Sequence, residues 1–132
     1  MAHPQQMAFV ATLKDRFPAY FKNQKVLEVG SLNLNGSIRS FFEQCSYLGV
    51  DVGPGPGVDM VAKGEDLTFD ADQFDVVCST ECFEHAPRWP EIFNNMARMS
   101  KGLVFFTCAT TGRPEHGTVS YTHLTLPTIL LV

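Results

Sequence analysis

The sequence predicts an α/β fold in which helices cover both faces of a mostly parallel sheet. Three observations carry that prediction. Short apolar runs recur at 25–30, 46–52, 58–62, 74–80 and 102–109. Segments with helical spacing alternate with them, and the runs are apolar along their length rather than at every second position. Continuously apolar strands suit a sheet buried on both faces, and alternation with helices is how parallel sheets are built.

The elements follow in order. Val10, Leu13, Phe17, Tyr20 and Phe21 recur at helical spacing, so an amphipathic helix is expected over about 6–22, within an N-terminal helical unit at 1–23. Pro18 ends or kinks that helix near Phe17. The helix is read as packing on the sheet, with an entrance lid as the alternative. The segment 35–44 reads as a second helix, with Asn35 or Ser37 near its cap. The run Gly53-Pro-Gly-Pro-Gly57 can be neither helix nor ladder and marks a loop. A last helix is expected over about 89–100, with Pro90 in its first turn and Ile92, Phe93, Met96 and Met99 as its apolar face. Asp75, at a strand start after a turn, reads as structural.

At 132 residues the chain is one domain at most. A formal charge of −4 and a pI near 5.4 argue against a nucleic-acid partner, which needs a basic surface to displace counterions. The basic excess at Lys14, Arg16, Lys22 and Lys25 reads as a solvated helix face. Cys45, Cys78, Cys82 and Cys108 form no CxxC pair and share no ligand pattern with His85 or His116, so free thiols and no metal site are expected. Free thiols suit a cytoplasmic location, and no run reaches the ~18 apolar residues of a membrane span.

The end of the chain matches neither helical nor strand patterning. Val119 to Thr128 back-translates to GTC TCT TAT ACA CAT CTG ACG CTG CCG ACG, which resembles the transposon-end adapter of sequencing libraries. Residues 119–132 are therefore expected to be a non-native tail, and the chain the N-terminal part of a longer protein, truncated after its fifth strand. Leu103-Val-Phe-Phe-Thr would then be an apolar, uncharged edge, and poor solubility is expected unless the tail covers it.

The turn after the first strand carries the chemistry. Ligands of doubly wound sheets bind at the carboxyl ends of the strands, where strand order reverses. Gly30 lets a ligand approach the backbone without a clashing Cβ, and a following helix would aim its free N–H groups there. Asp51 ends the second strand about twenty residues further on, where a carboxylate can accept hydrogen bonds from both hydroxyls of a ribose. That much is common to nucleotide cofactors. The Gly-x-Gly-x-x-Gly spacing that admits a pyrophosphate is absent, because Ser31 follows Gly30 and the next glycine is Gly36. Glu28 would repel a pyrophosphate but attract an ammonium. The chemistry fits S-adenosylmethionine, which has an ammonium, a ribose and an adenine but no phosphate, better than NAD.

Four blocks in order, Val26-Leu-Glu-Val-Gly-Ser, Tyr47-Leu-Gly-Val-Asp-Val-Gly-Pro-Gly, Gly64-Glu-Asp-Leu-Thr-Phe and Phe74-Asp-Val-Val-Cys-Ser-Thr-Glu-Cys-Phe-Glu-His85, resemble the class I S-adenosylmethionine-dependent methyltransferases. Within that class they look like the methyltransferase-domain group with a Glu-His pair after the fourth strand. The resemblance spans residues 24–118 and implies a Rossmann-like three-layer sandwich with S-adenosyl-L-methionine as cofactor. It further implies that Glu28, Gly30, Ser31 and Gly36 line the methionine end, that Asp51 holds the ribose and that Val52 packs on the adenine. Glu65, Asp66 and Leu67 would lie at the adenine rim, and Ser79 and Thr80 would close the pocket below the methionine. Lys63 stands where many relatives place an aspartate that bonds the adenine amino group, and a lysine offers no acceptor.

Methyl transfer asks chiefly that a nucleophile be held in line with the activated carbon. A general base is needed only for a weakly acidic acceptor, and His85, beside Glu84, is the candidate because its ordinary pKa lies near neutrality. Equally, the pair could only shape the loop. Glu115 and His116 are further candidates. The acceptor is read as a small molecule, and nothing in the sequence sets the oligomeric state. An NAD- or nucleotide-dependent enzyme and a non-catalytic cofactor-binding module are the rival readings.

Overall fold

The computed structural model describes residues 4–34, 36–80 and 86–107. It contains helix α1 (Pro4–Arg16), strands β1 (Lys25–Val29), β2 (Ser46–Asp51), β3 (Met60–Val61) and β4 (Phe74–Thr80), helix α2 (Trp89–Met99) and strand β5 (Ser100–Thr107). Every strand pair is parallel, and the order across the sheet is β3-β2-β1-β4-β5. The chain thus builds outward from β1 to β3, crosses over β1, and builds outward again through β4 and β5. That reversal makes the carboxyl ends of β1 and β4 the switch point of the sheet. Asn35, Cys82, Glu84, His85, Cys108, Glu115, His116 and the tail at 119–132 lie outside the described residues.

Successive residues of a strand face opposite ways, so the longer strands feed two cores. Leu27, Val29, Val50, Val77 and Val104 meet Ile92, Met96 and Met99 of α2 on one face. Val26, Val76, Cys78 and Phe105 meet Val10 and Leu13 of α1 on the other, together with Phe21. The apolar stripe of α2 is the expected one, with Ile92, Met96 and Met99 buried. Pro18 ends α1 as expected, and a 3-10 turn at Pro18–Phe21 follows it. Its packing on the sheet is the arrangement preferred from sequence. Asp75 has the structural role expected of it, accepting the Lys25 N–H at 2.8 Å and pairing with Lys101 at 3.2 Å.

One predicted element differs. No α-helix spans 35–44; the described part holds only a three-residue 3-10 turn at Arg39–Phe41. Ile38 and Phe42 are both drawn into the α1-side core, and Phe42 stacks on Phe21 with ring centroids 4.6 Å apart. Phe42 is extended, with φ −97 and ψ 118, which no helix allows. Weak helix propensity in β-branched and aromatic residues lets that packing decide. The helix expected to aim N–H groups at the ligand after β1 is therefore not there. Strand β3 is also shorter than the expected 58–62, pairing only through Met60 and Val61.

Candidate functional site

A cavity of about 450 Å³ opens at the carboxyl ends of β1 and β2, on the α2 side of the sheet. Gly30, Asp51, Val52 and Glu65 line it, with Val29, Val50, Ala62, Gly64 and Ile92 as apolar wall and floor. Lys63 and Arg88 are part of its rim. Its volume lies within the range of small-molecule sites. The first turn of α2 borders it through Arg88 and Ile92, so the positive helix end that the turn after β1 lacks comes from this other helix.

Asp51 is held by two backbone donors. Leu32 N–H donates to Oδ2 at 2.8 Å and Val52 N–H to Oδ1 at 2.7 Å. A carboxylate offers about four acceptor sites, so each oxygen keeps capacity for one more donor, which is what a vicinal diol needs. Gly30 adopts φ 82, a region that a side chain would strain, and its N–H donates to the Val50 carbonyl at 2.7 Å. The bend and the acid therefore share one hollow. Val52 is 70% exposed although large and apolar, and it presents that surface at the cavity mouth.

Ser31, Gly36, Asp66, Leu67, Ser79, Thr80 and Glu28 do not line this cavity. The Ser31 hydroxyl donates to the Gly57 carbonyl at 2.8 Å, latching the β1 turn to the glycine-proline loop. Gly36 N–H donates to Asn33 Oδ1 at 3.0 Å. Leu67 is buried in the α2-side core, and Asp66 is exposed. Ser79 and Thr80 are fully buried at the end of β4.

Glu28 is 2% exposed, on the face of β1 opposite Val29, and its Oε1 accepts the Tyr47 hydroxyl at 2.6 Å. Burial pushes its carboxyl above the ordinary range, while the Tyr47 hydrogen bond pulls the other way. A raised folded-state pKa stabilises below the unfolded value, and that contribution is lost as pH rises through the folded one. Glu28→Gln is therefore expected to melt higher than the wild type at neutral pH, with the difference closing in acid. Thermal melts across pH measure this, and a lower Tm for the variant at neutral pH would contradict it.

Several residues that shape the site carried no sequence signal. Asn95, on α2, donates from Nδ2 to the carbonyls of Gly64 and Leu67 at 2.8 and 2.9 Å, and so fixes the loop that forms the cavity floor. Arg98, one turn on, donates to the Phe69 carbonyl at 2.6 Å. No group of three or more metal-ligating side chains occurs among the described residues. Cys45 and Cys78 are free thiols.

A parallel sheet ordered 3-2-1-4-5, with an acid and a glycine bend facing one hollow at its switch point, defines a Rossmann-like cofactor-binding domain. A family of methyltransferase domains matches residues 1–124, and the chain belongs to that family. Its fold is similar to that of the YcgJ protein from Bacillus subtilis, with TM-score 0.61 and 16% identity over 82% of this chain and 52% of that one. An S-adenosylmethionine dependent methyltransferase from Mesorhizobium loti is similar too, with TM-score 0.54 and 17% identity over 72% of this chain and 53% of that one. Phosphoethanolamine N-methyltransferase 2 of Haemonchus contortus, solved with phosphomonomethylethanolamine and S-adenosylhomocysteine, gives TM-score 0.63 and 23% identity over 89% of this chain and 30% of that one. The chain spans about half the length of the first solved structures it matches. No curated protein matches it.

Proposed function

We propose that this chain is the cofactor-binding part of an S-adenosylmethionine-dependent methyltransferase. One observation carries the reading: an oriented carboxylate, Asp51, and a side-chain-free bend, Gly30, line one apolar cavity. Family membership supports it, as does the pairing of that fold with S-adenosylhomocysteine in the Haemonchus protein.

Asp51 would hold the ribose diol, with the adenine between Val52 and the 62–65 loop. Glu65, which lines the cavity, would accept from the adenine amino group in place of the missing aspartate at Lys63, and Asp66 and Leu67 would support the rim. Gly30, Ser31 and Gly36 would form the turn that admits the amino-acid end, Glu28 would face its ammonium, and Ser79 and Thr80 would close the pocket below it. When bound, S-adenosylmethionine supplies a methyl carbon made electrophilic by its sulfonium. His85, supported by Glu84, is assigned as the base for a weakly acidic acceptor. A small-molecule acceptor is favoured by the acidic pI, and by the small phosphorylated amine held by the Haemonchus protein. A cytoplasmic location fits the free thiols, and no described helix is long and apolar enough to cross a membrane. Residues 119–132 are assigned to the non-native tail.

Calorimetric titration of the full chain with S-adenosylhomocysteine and with NAD separates the two cofactor classes. Binding of the first at micromolar levels with no heat from the second is expected. Preferential binding of NAD would overturn the reading.

A further inference from the structure

The turn at Arg39–Phe41 and the loop after β2 contain charged groups that the cavity does not use. Asp59 accepts the Gly49 N–H at 2.8 Å and pairs with the Arg39 guanidinium. Arg39 also donates to the Tyr47 carbonyl at 3.1 Å and lies over the Tyr47 ring, 4.6 Å from its centroid. Phe42 meets that ring in a tilted contact, with centroids 5.3 Å apart. The ring is thus fixed by a cation, an aromatic neighbour and its own strand, and its hydroxyl reaches one acceptor, Glu28 Oε1. Burial pushes the Tyr47 phenol far above its ordinary range, so it stays protonated and donates.

A buried carboxylate with no neighbour to fix its rotamer would be a poor partner for a ligand. Here Tyr47 takes one of about four acceptor sites and leaves the others. Resting on the assignment of Glu28 to the cofactor's ammonium, we infer that Tyr47, clamped by Arg39 and Asp59, is the positioning residue that aims the Glu28 carboxylate at the amino-acid end of the ligand. The strand register explains the choice of position. Gly49 lies opposite Glu28 and Tyr47 opposite Val26, so the phenol crosses diagonally over a residue with no side chain.

Two ligands test this, because methylthioadenosine has the nucleoside of S-adenosylhomocysteine but no ammonium. Calorimetry on the full chain is expected to show Tyr47→Phe binding S-adenosylhomocysteine roughly tenfold more weakly, with methylthioadenosine unchanged. The phenylalanine keeps the ring beneath Arg39, so the fold is retained, and a melting curve checks that. Should the phenylalanine variant fail to fold, Arg39→Met keeps the phenol while removing its clamp, and a smaller loss with the same selectivity is expected. Equal weakening of both ligands in the folded variant would overturn the inference and leave Tyr47 a purely structural residue. If Glu28→Gln weakens S-adenosylhomocysteine but Tyr47→Phe does not, the inference alone fails. If Glu28→Gln leaves affinity for it unchanged, the assignment beneath the inference fails with it.

Discussion

Asp51→Ala is expected to weaken S-adenosylhomocysteine binding by at least about a hundredfold. A hydrogen bond to a charged group contributes roughly 1.5–3 kcal/mol, and two hydroxyls of one diol would lose theirs together. At about 1.4 kcal/mol for each factor of ten, two such bonds amount to between two and four decades of affinity. The wild-type carboxylate is already ordered by Leu32 and Val52 N–H groups, so it spends little entropy on becoming ordered at binding. Asp51→Asn separates charge from shape. It keeps one acceptor oxygen but places an amide donor against either a backbone N–H or a hydroxyl, so an intermediate loss is expected. Calorimetry on both variants, with melting curves to confirm folding, measures the effect. On the assignment of His85 as the base, His85→Ala makes the complementary test, because it should lower turnover and leave cofactor affinity alone.

Gly49→Ala is expected to be strongly destabilising. A Cβ at that position would meet the Gly57 carbonyl oxygen, and would lie 2.6 Å from Ser31 Oγ and 2.9 Å from Ser31 Cβ. The first of these is backbone and cannot rotate away. Ser31 and Gly57 are themselves hydrogen-bonded to each other, so moving one drags the other. Overpacking of this kind costs about 3 kcal/mol, or roughly 10 °C in Tm for a domain of this size. Because the displaced latch holds the turn between Gly30 and Leu32, affinity for S-adenosylhomocysteine should fall with stability. Gly53→Ala is the contrast. Nothing lies within 4 Å of a Cβ there, so its effect should stay within about 0.5 kcal/mol. Equal effects at the two positions, read by thermal melts, would show that the latch does not matter.

The strands were legible in the sequence because a sheet buried on both faces leaves its mark on every residue of a strand. Asp51 was legible for the same reason, since an acid that ends such a run must stand at the sheet's carboxyl edge. The segment at 35–44 reads as a helix because Ile38, Phe41 and Phe42 fit helical spacing equally well. What decides its shape is Phe42 stacking on Phe21, a contact between residues about twenty positions apart. The fastening of the cavity floor by Asn95 and the clamp of Arg39 on Tyr47 were invisible for a related reason. An asparagine or arginine on a polar surface looks the same whether it faces water or a distant carbonyl. Glu28 falls between these cases. Its place inside Val-Leu-Glu-Val implied burial, but only the register of β1 against β2 shows that a tyrosine two residues from Gly49 would reach it.

A structure of the full chain with S-adenosylhomocysteine bound tests the central claim most directly. Both ribose hydroxyls are expected within about 3 Å of the Asp51 carboxylate, with the adenine in the cavity beside Val52. A ligand seated elsewhere, or a ribose pointing away from Asp51, would contradict it.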